Sequence, residues 1–337
     1  MNVRDALARI VGGESLREAE MESVIAAFMN GEATAAQIGG LLIALRMKGE
    51  TVDEITGAAR AMREHAVCIR PRAAVIVDTC GTGGDQRGTF NISTAAALIA
   101  AGAGVTIAKH GNRAMSGAVG GADVLEALGV RIALPPERVA ACIDETGIGF
   151  LFAQAFHPAM RHAAGPRREL GVRTIFNLLG PLSNPAGARH QVVGVFGSQW
   201  TEPLARALGR LGCTHALVVH GEDGLDEISL VMPTEVSEWR EGMLRTYRLT
   251  PEEFGLQRCR SSDLDGGDRD GAARFIRDIL AGTRGPRADI AVLNAAAALY
   301  VGGQAGSIAN GVDVARDAVY SGRAQQVLER LIAFTNQ

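Results

Sequence analysis

Asp78-Thr79-Cys80-Gly81-Thr82-Gly83-Gly84-Asp85, followed closely by Asn91-Ile92-Ser93-Thr94-Ala95, is the stretch on which the fold turns. Before it lies the apolar, β-branched run Ala73-Ala74-Val75-Ile76-Val77, which predicts a buried strand; after it, residues 95–101 predict a helix. Glycines at 81, 83 and 84 let the backbone turn through positive φ and bring bare N–H groups up to an anion, and the helix behind them points its positive end the same way. In outline this is a phosphate cradle. A tight turn between strand and helix needs the same residues without any ligand, so the residues downstream decide. The two best-known cradles do not fit: no Gly-Lys-Ser/Thr closes the loop, and the glycine spacing is not that of a dinucleotide fingerprint.

A chain of 337 residues that is 47% hydrophobic, with net charge -3, can bury one large core or a large and a small one. There is no basic excess to suggest a nucleic-acid groove, no apolar run long enough to span a membrane, and no charged-then-apolar leader. The expectation is a cytoplasmic protein that binds neither nucleic acid nor membrane. Cys68, Cys80, Cys142, Cys213 and Cys259 are odd in number and scattered, without Cys-x-x-Cys pairing, which predicts reduced, structural thiols. Cys80 stands beside the glycine loop, but nothing in the sequence supplies a base that would make it a nucleophile.

Residues 1–66 carry three capping boxes, Ser15-x-x-Glu18, Thr34-x-x-Gln37 and Thr51-x-x-Glu54, and so predict three helices. Apolar residues follow at helical spacing (Met21, Val24, Ile25 and Phe28; Ile38, Leu41, Leu42 and Leu45; Val52, Ile55, Ala59 and Met62), and Asn30-Gly31 and Lys48-Gly49 break the runs. This is a small antiparallel helical domain with no chemistry of its own, suited to packing on the next domain or on a second subunit. Arg70-Pro71-Arg72 makes a stiff hinge. From 73 to 337 the texture is α/β, with further strands expected at 105–108, 150–152, 192–196 and 216–219 and helices at 136–146 and 202–211. Such a mainly parallel sheet flanked by helices binds ligands beyond the carboxyl ends of its strands. Residues 266–268 read as a surface loop, Asn294 with 295–298 and the helical stretch 312–334 as a final layer on the sheet, and Trp200 and Trp239 as packing.

Lys109-His110-Gly111-Asn112-Arg113, then 114–123 with two glycine clusters, make a second anion cradle after the second strand and before a helix at 124–128. Asp226-Glu227 is either a solvated turn or, as two adjacent carboxylates, a hard-cation site. Arg161, Arg167, Arg168 and Arg173 are equally compatible with the polar face of a helix, and His157 before Pro158 with a helix start.

Taken together, Asp78 to Asp85, Asn91-x-Ser93-Thr94, Lys109 to Arg113 and Ala122-Asp123-Val124-Leu125-Glu126-Ala127-Leu128-Gly129 resemble the successive signatures of the anthranilate phosphoribosyltransferase family. So do His157-Pro158-Ala159-Met160-Arg161, the run from Arg167 to Asn177, Gly180-Pro181-Leu182-x-Asn184-Pro185 and Gly224-Leu225-Asp226-Glu227. The likeness runs in order over nearly the whole chain.

The resemblance implies transfer of a 5-phosphoribosyl group from phosphoribosyl pyrophosphate to the amine of anthranilate, in tryptophan biosynthesis, by a homodimer with two Mg2+ per subunit. It implies that helices from about 158–188 join the helical domain. By the same likeness Gly81, Gly84, Asp85, Thr89, Asn91, Ile92, Ser93, Thr94, Lys109, His110, Gly111, Asn112, Arg113, Ser116 and Gly117 hold the donor. Gly81, His110, Asn112 and Arg167 contact anthranilate, and Ser93, Asp226 and Glu227 bind magnesium. Lys109 and Arg167 carry the catalysis, the first by stabilising the departing pyrophosphate, the second by pairing with the anthranilate carboxylate and aiming its nitrogen. Gly117 and Gly121 depart from the family, which has serines at both positions, so two hydroxyl donors to phosphate are missing. The alternatives are a same-fold enzyme, either a pyrimidine nucleoside phosphorylase or a phosphoribosyltransferase for another aromatic amine, and a non-catalytic relative that binds nucleic acid; the -3 charge argues against the last.

Overall fold

The computed structural model describes residues 1–85, 87–114 and 119–337. Four helices, not three, form at the N-terminus: α1 (Val3–Val11), α2 (Glu18–Met29), α3 (Ala35–Lys48) and α4 (Val52–Glu64). Helix α1 is short and buries only Val3, Ala6 and Ile10, a periodicity too brief to read from sequence. Two of the three capping boxes form as expected. Thr34 Oγ1 accepts from Gln37 N–H at 3.2 Å while Gln37 Oε1 takes Thr34 N–H at 2.9 Å, and Thr51 with Glu54 does the same. The box at Ser15 does not form. The buried Glu54 carboxylate takes Leu16 N–H at 3.0 Å and Lys48 Nζ donates to Ser15 Oγ at 3.2 Å, which holds that segment extended, so the helix starts only at Glu18.

Seven strands make one sheet in the order β3-β2-β1-β4-β5-β6-β7: β1 (Val77–Gly81), β2 (Ile107–Gly111), β3 (Ile148–Phe152), β4 (His190–Gly194), β5 (His215–Gly221), β6 (Thr234–Arg240) and β7 (Met243–Leu249). The first five run parallel. Strands β1 and β2 lie further along the chain than the apolar runs predict, so that Asp78, Thr79 and Cys80 are strand rather than loop, and so are Lys109 and His110. Buried polar residues are tolerated there because neighbours satisfy them: Asp78 accepts from His110 N–H at 3.1 Å and from Asn184 Nδ2 at 2.8 Å. Strand β4 ends at Gly194, two residues short of the expected 196.

Strands β6 and β7 were not expected, because their alternation is interrupted by Glu235, Glu238, Arg245 and Arg248. They join through Glu241-Gly242, both at positive φ (51° and 86°), as a type I′ hairpin requires. Other expectations shift as well. The 312–334 stretch is two helices, Ile308–Tyr320 and Arg323–Thr335, parted where Gly322 adopts φ 76°. Residues 266–268 form the expected loop, with Gly267 and Asp268 exposed, and it is tied down where Gly266 donates to Gly88 O at 2.9 Å and Asp268 caps the next helix.

Three helices pack near the first strands: α5 (Ile92–Gly102), α6 (Gly121–Ala127) and α7 (Pro136–Thr146). One core lies around α5, the alanine-rich helix Pro286–Val301 and the sheet. A second joins α1–α4 to Ala163, Ile175, Phe176, Leu178, Leu179 and Leu182, and continues to Val193 and Val218 on the sheet. The half-buried Arg63 of α4 bridges the two parts, donating to Leu182 O at 2.6 Å and Leu211 O at 2.9 Å. The strand order reverses between β1 and β4. A crevice therefore opens above their carboxyl ends.

Candidate active site

Gly81 and Gly194 are paired residues at the ends of β1 and β4, and across them lies the loop that carries Asp226 and Glu227. A Cβ on Gly194 would stand 1.5 Å from the Asp226 carbonyl oxygen, and one on Gly81 would stand 2.6 Å from Asp226 Oδ2. Two bare backbones at the switch point are thus what lets the acidic loop descend onto the strands. Gly83, at φ 65°, turns its N–H onto Asp226 Oδ2 at 3.1 Å. Glu227 Oε1 accepts Ser93 N–H at the start of α5, also at 3.1 Å. The reading of Asp226-Glu227 as a solvated turn is excluded by these contacts.

Lys109, only 4% exposed, enters from β2. Its Nζ donates to Thr79 O and, at 3.1 Å, to Ser93 Oγ. Ser93 is therefore shared, its N–H by a carboxylate and its hydroxyl by an ammonium. Burial, followed by the charge of Asp85, raises the Asp226 carboxyl above its ordinary range, and burial with Asp226 does the same to Glu227. Such a group of oxygens is short of positive charge. Among the described residues no cluster of His, Cys, Asp and Glu closes a metal cage by itself. Magnesium does not need one, because it keeps several waters and takes its remaining ligands from one or two carboxylates and substrate phosphates. The oxygen donor set of Ser93, Asp226 and Glu227 fits that ion.

Around this centre, Asn91 Oδ1 and Thr94 Oγ1 are buried with no hydrogen-bond partner among the described residues. Polar atoms left so are unfavourable unless a ligand meets them. Asn91 Nδ2 holds Val119 O at 2.7 Å. Gly84, at φ 80°, presents its carbonyl to Arg173, whose guanidinium lies 4.5 Å from the Phe196 ring centroid. Asp85 accepts from Arg87 N–H, Thr89 bridges to Asp265, and Ile92 is buried behind the cradle. Gly111 is confined by Phe150, 2.8 Å from where a Cβ would stand. Asn112 is exposed and accepts Ala122 N–H on its carbonyl. The Arg113 guanidinium pairs with Asp123 at 3.0 Å and Glu126 at 2.6 Å, both on α6. Ser116 and Gly117 lie outside the described residues.

His110 and His157 sit side by side, ring centroids 5.1 Å apart. His110 Nδ1 bonds Gly180 O at 3.0 Å, which makes Nδ1 the protonated nitrogen and leaves Nε2 a buried acceptor without a partner; His157 Nε2 is likewise unpartnered among the described residues. Burial, then His157, pushes the His110 pKa down to about 3, and burial pushes His157 to about 4. Both rings are neutral at pH 7. The unfolded chain takes up their protons first, near about pH 6.5, so the stability tied to the neutral rings is present above that pH and is lost as pH falls toward the folded values. Thermal or urea unfolding between about pH 6 and pH 4 should show a slope of up to about 1.4 kcal/mol per pH unit for each histidine, and H157Q should remove one share of it. An unchanged slope in H157Q would contradict this.

Arg167, on the helix Arg161–Leu170, packs over Phe176 at 5.0 Å; burial lowers its pKa and no described carboxylate pairs with it. It is a recessed cation suited to a ligand carboxylate. Phe176 begins the short helix that leads to Gly180, the His110 partner, and Asn184 ties that segment to Asp78 and to Ala108 O at 2.8 Å. Sequence reasoning missed Gly194 and the His110–His157 pairing, and it named Asn184 and Arg173 without giving either a role. Only Gly194 had a local signal, a glycine inside an apolar strand pattern, which marks close backbone approach.

The chain matches the family model described as "Glycosyl transferase family, a/b domain" over residues 73–325 and that described as "Glycosyl transferase family, helical bundle domain" over 4–66. It is 55% identical over 335 residues to the anthranilate phosphoribosyltransferase of Thioalkalivibrio sulfidiphilus, covering 99% of each chain. The crystal structure of the Thermus thermophilus anthranilate phosphoribosyltransferase is similar with a TM-score of 0.94 at 49% identity, over 99% of this chain and 100% of that one. The Saccharomyces cerevisiae enzyme in complex with PRPP and Mg is similar with a TM-score of 0.91 at 26% identity, over 99% and 98%.

Proposed function

The chain belongs to the anthranilate phosphoribosyltransferase family, and we propose that Ser93, Lys109, Asp226 and Glu227, gathered at the ends of β1, β2 and β4, are where it binds and ionises its donor. It transfers the 5-phosphoribosyl group of phosphoribosyl pyrophosphate to the amine of anthranilate, giving N-(5-phosphoribosyl)anthranilate and pyrophosphate, in tryptophan biosynthesis. The observation that carries the site assignment is Ser93, held by Glu227 on its N–H and by Lys109 on its hydroxyl.

In this reading Ser93, Asp226 and Glu227 would hold two Mg2+ per subunit, which would supply positive charge to the pyrophosphate as it leaves. Gly81, Gly84 and the Thr94 hydroxyl receive the phosphates, while the unpartnered Asn91 Oδ1, an acceptor, suits a ribose hydroxyl. As the ribose C1–oxygen bond lengthens, Lys109 stabilises the leaving group. Arg167 receives the anthranilate carboxylate and Asn112 stands at the rim. The neutral His110 offers an acceptor at Nε2 to the aromatic amine, so orientation rather than a strong base drives attack at C1. One pyrophosphate should appear for each anthranilate consumed; uracil release from uridine and phosphate would favour the phosphorylase reading instead.

Gly121 bears on donor affinity. A Cβ there would stand 3.6 Å from the unpartnered Thr94 Oγ1 and 3.9 Å from Lys109 Cε, ordinary contacts, so a serine fits and can bond both Thr94 and a phosphate. G121S should fold normally and lower KM for phosphoribosyl pyrophosphate by about three- to tenfold, the worth of one added hydrogen bond. Unchanged or raised KM would contradict it.

A homodimer through the helical face, and a helical unit of residues 1–66 joined by about 158–188 beside the α/β remainder of 73–337, complete the reading. A groove of about 540 Å³ between α3 and the helix Arg161–Leu170 is lined by Gly39, Gly40, Ile43 and Leu170, with Met47 83% exposed on the same helix. A second copy laid there would bury this apolar surface. Sedimentation should give a dimer and I43D a monomer; a monomeric wild type would contradict the dimer. A cytoplasmic location accords with five unpaired cysteines. Among the described residues no helix is long and apolar enough to cross a membrane.

A further inference from the structure

The buried side chains of the helix Pro286–Val301 are all apolar except one amide, Asn294, which is 2% exposed. An asparagine in the middle of a helix lowers its helical propensity and must be desolvated, so its bonds call for explanation. Asn294 Oδ1 accepts Ile228 N–H at 3.0 Å, and Nδ2 donates to Ile228 O at 3.0 Å and to Ile290 O at 2.9 Å. With Ile228 the amide makes the reciprocal pair that a neighbouring strand would make. The residue it grips directly follows Glu227.

On the far side of Ile228 the chain is held separately: Ser229 N–H donates to Thr234 Oγ1 at 2.9 Å, and Ser229 Oγ donates to Asp223 Oδ2 at 3.1 Å. Upstream, the Asp226 carbonyl is pressed over Gly194, and the two carboxylates reach Gly83 N–H and Ser93 N–H. The acidic pair is therefore suspended between the cradle it faces and the core helix behind it. We infer that Asn294 is a positioning residue: its amide clamps the Ile228 backbone and thereby sets where Asp226 and Glu227 stand over the donor cradle. This rests on the metal-holding role read for that pair above.

The test measures Mn2+ binding by its EPR signal in the presence of phosphoribosyl pyrophosphate, beside thermal unfolding and kcat at saturating metal. N294A should weaken Mn2+ binding by about tenfold or more, as loss of an outer support to metal ligands does, while kcat at saturating metal falls less. L293A removes a wholly buried neighbour on the same helix and should lower Tm while leaving Mn2+ affinity at the wild-type value. N294D keeps the acceptor for Ile228 N–H but sets a buried carboxylate oxygen against Ile228 O and Ile290 O, and should give a shift in the same direction at least as large. N294S, which buries no charge and is too short to reach Ile228, carries the test if N294A does not fold. Wild-type Mn2+ affinity in N294A, N294S or N294D, or a loss that L293A reproduces, overturns the positioning role while D226N still weakens binding. Wild-type affinity in D226N overturns the metal assignment, and this inference with it.

Discussion

Gly194→Ala should nearly extinguish the transferase. The added methyl meets the Asp226 carbonyl at 1.5 Å and the Asp226 carbonyl carbon at 2.5 Å, and neither is the free end of a side chain that can swing aside. The loop must lift off β4. It would take with it the Asp226 and Glu227 carboxylates and their bonds to Gly83 and Ser93. Displacing catalytic groups by about 1 Å costs on the order of 100-fold, so kcat/KM should fall by about that or more. The overpacking itself should remove about 1–3 kcal/mol of stability. Gly81→Ala is the instructive comparison: its obstacle is the Asp226 side-chain oxygen at 2.6 Å, which can rotate, so its loss of activity should be the smaller. Both are read by the fall of anthranilate fluorescence and by Tm. Activity in G194A near wild type would mean that the acidic loop need not lie on the strand ends.

Lys109→Met should lower kcat by between about 100- and 1,000-fold, the usual effect of removing one preorganised charge from a developing oxyanion. Methionine is close to the length of the lysine stem, so packing beside Gly121 is retained and the charge is what is lost. Two bonds go with it, to Thr79 O and Ser93 Oγ, which leaves the Ser93 hydroxyl without its ammonium. Arginine should not restore the rate, because its planar fork cannot fit where a compact ammonium touches two oxygens from neighbouring elements. A loss in K109M of less than about tenfold would assign the leaving-group charge to another residue.

How far this site is legible in the sequence depends on the range of the contacts that build it. Glycines 81, 83 and 84, and the helix after them, announce a cradle locally, and the N-terminal helices at 34 and 51 announce themselves by their caps. The strand bounds do not, because Asp78 and Lys109 read as loop residues until Asn184 and Ser93, far away in the chain, are seen to satisfy them. For the same reason Ser15 looks like a helix cap until Lys48 and Glu54 claim that segment. Asp226-Glu227 has no local pattern that separates a metal site from a turn; only the resemblance singled it out. Gly194, which makes its position possible, acts through a contact across the sheet. Arg113, expected at the donor, is paired with Asp123 and Glu126, contacts that its place beside the cradle does not announce.

The most direct measurement follows the fluorescence of anthranilate on mixing the purified protein with phosphoribosyl pyrophosphate, with Mg2+ and then with excess chelator. Consumption with Mg2+ that stops on chelation is the expected result, and its loss in D226N as well ties the reaction to the oxygens of Ser93, Asp226 and Glu227. A folded protein that consumes no anthranilate, or consumes it equally well after chelation, would contradict the assignment of those residues to the donor and its metal.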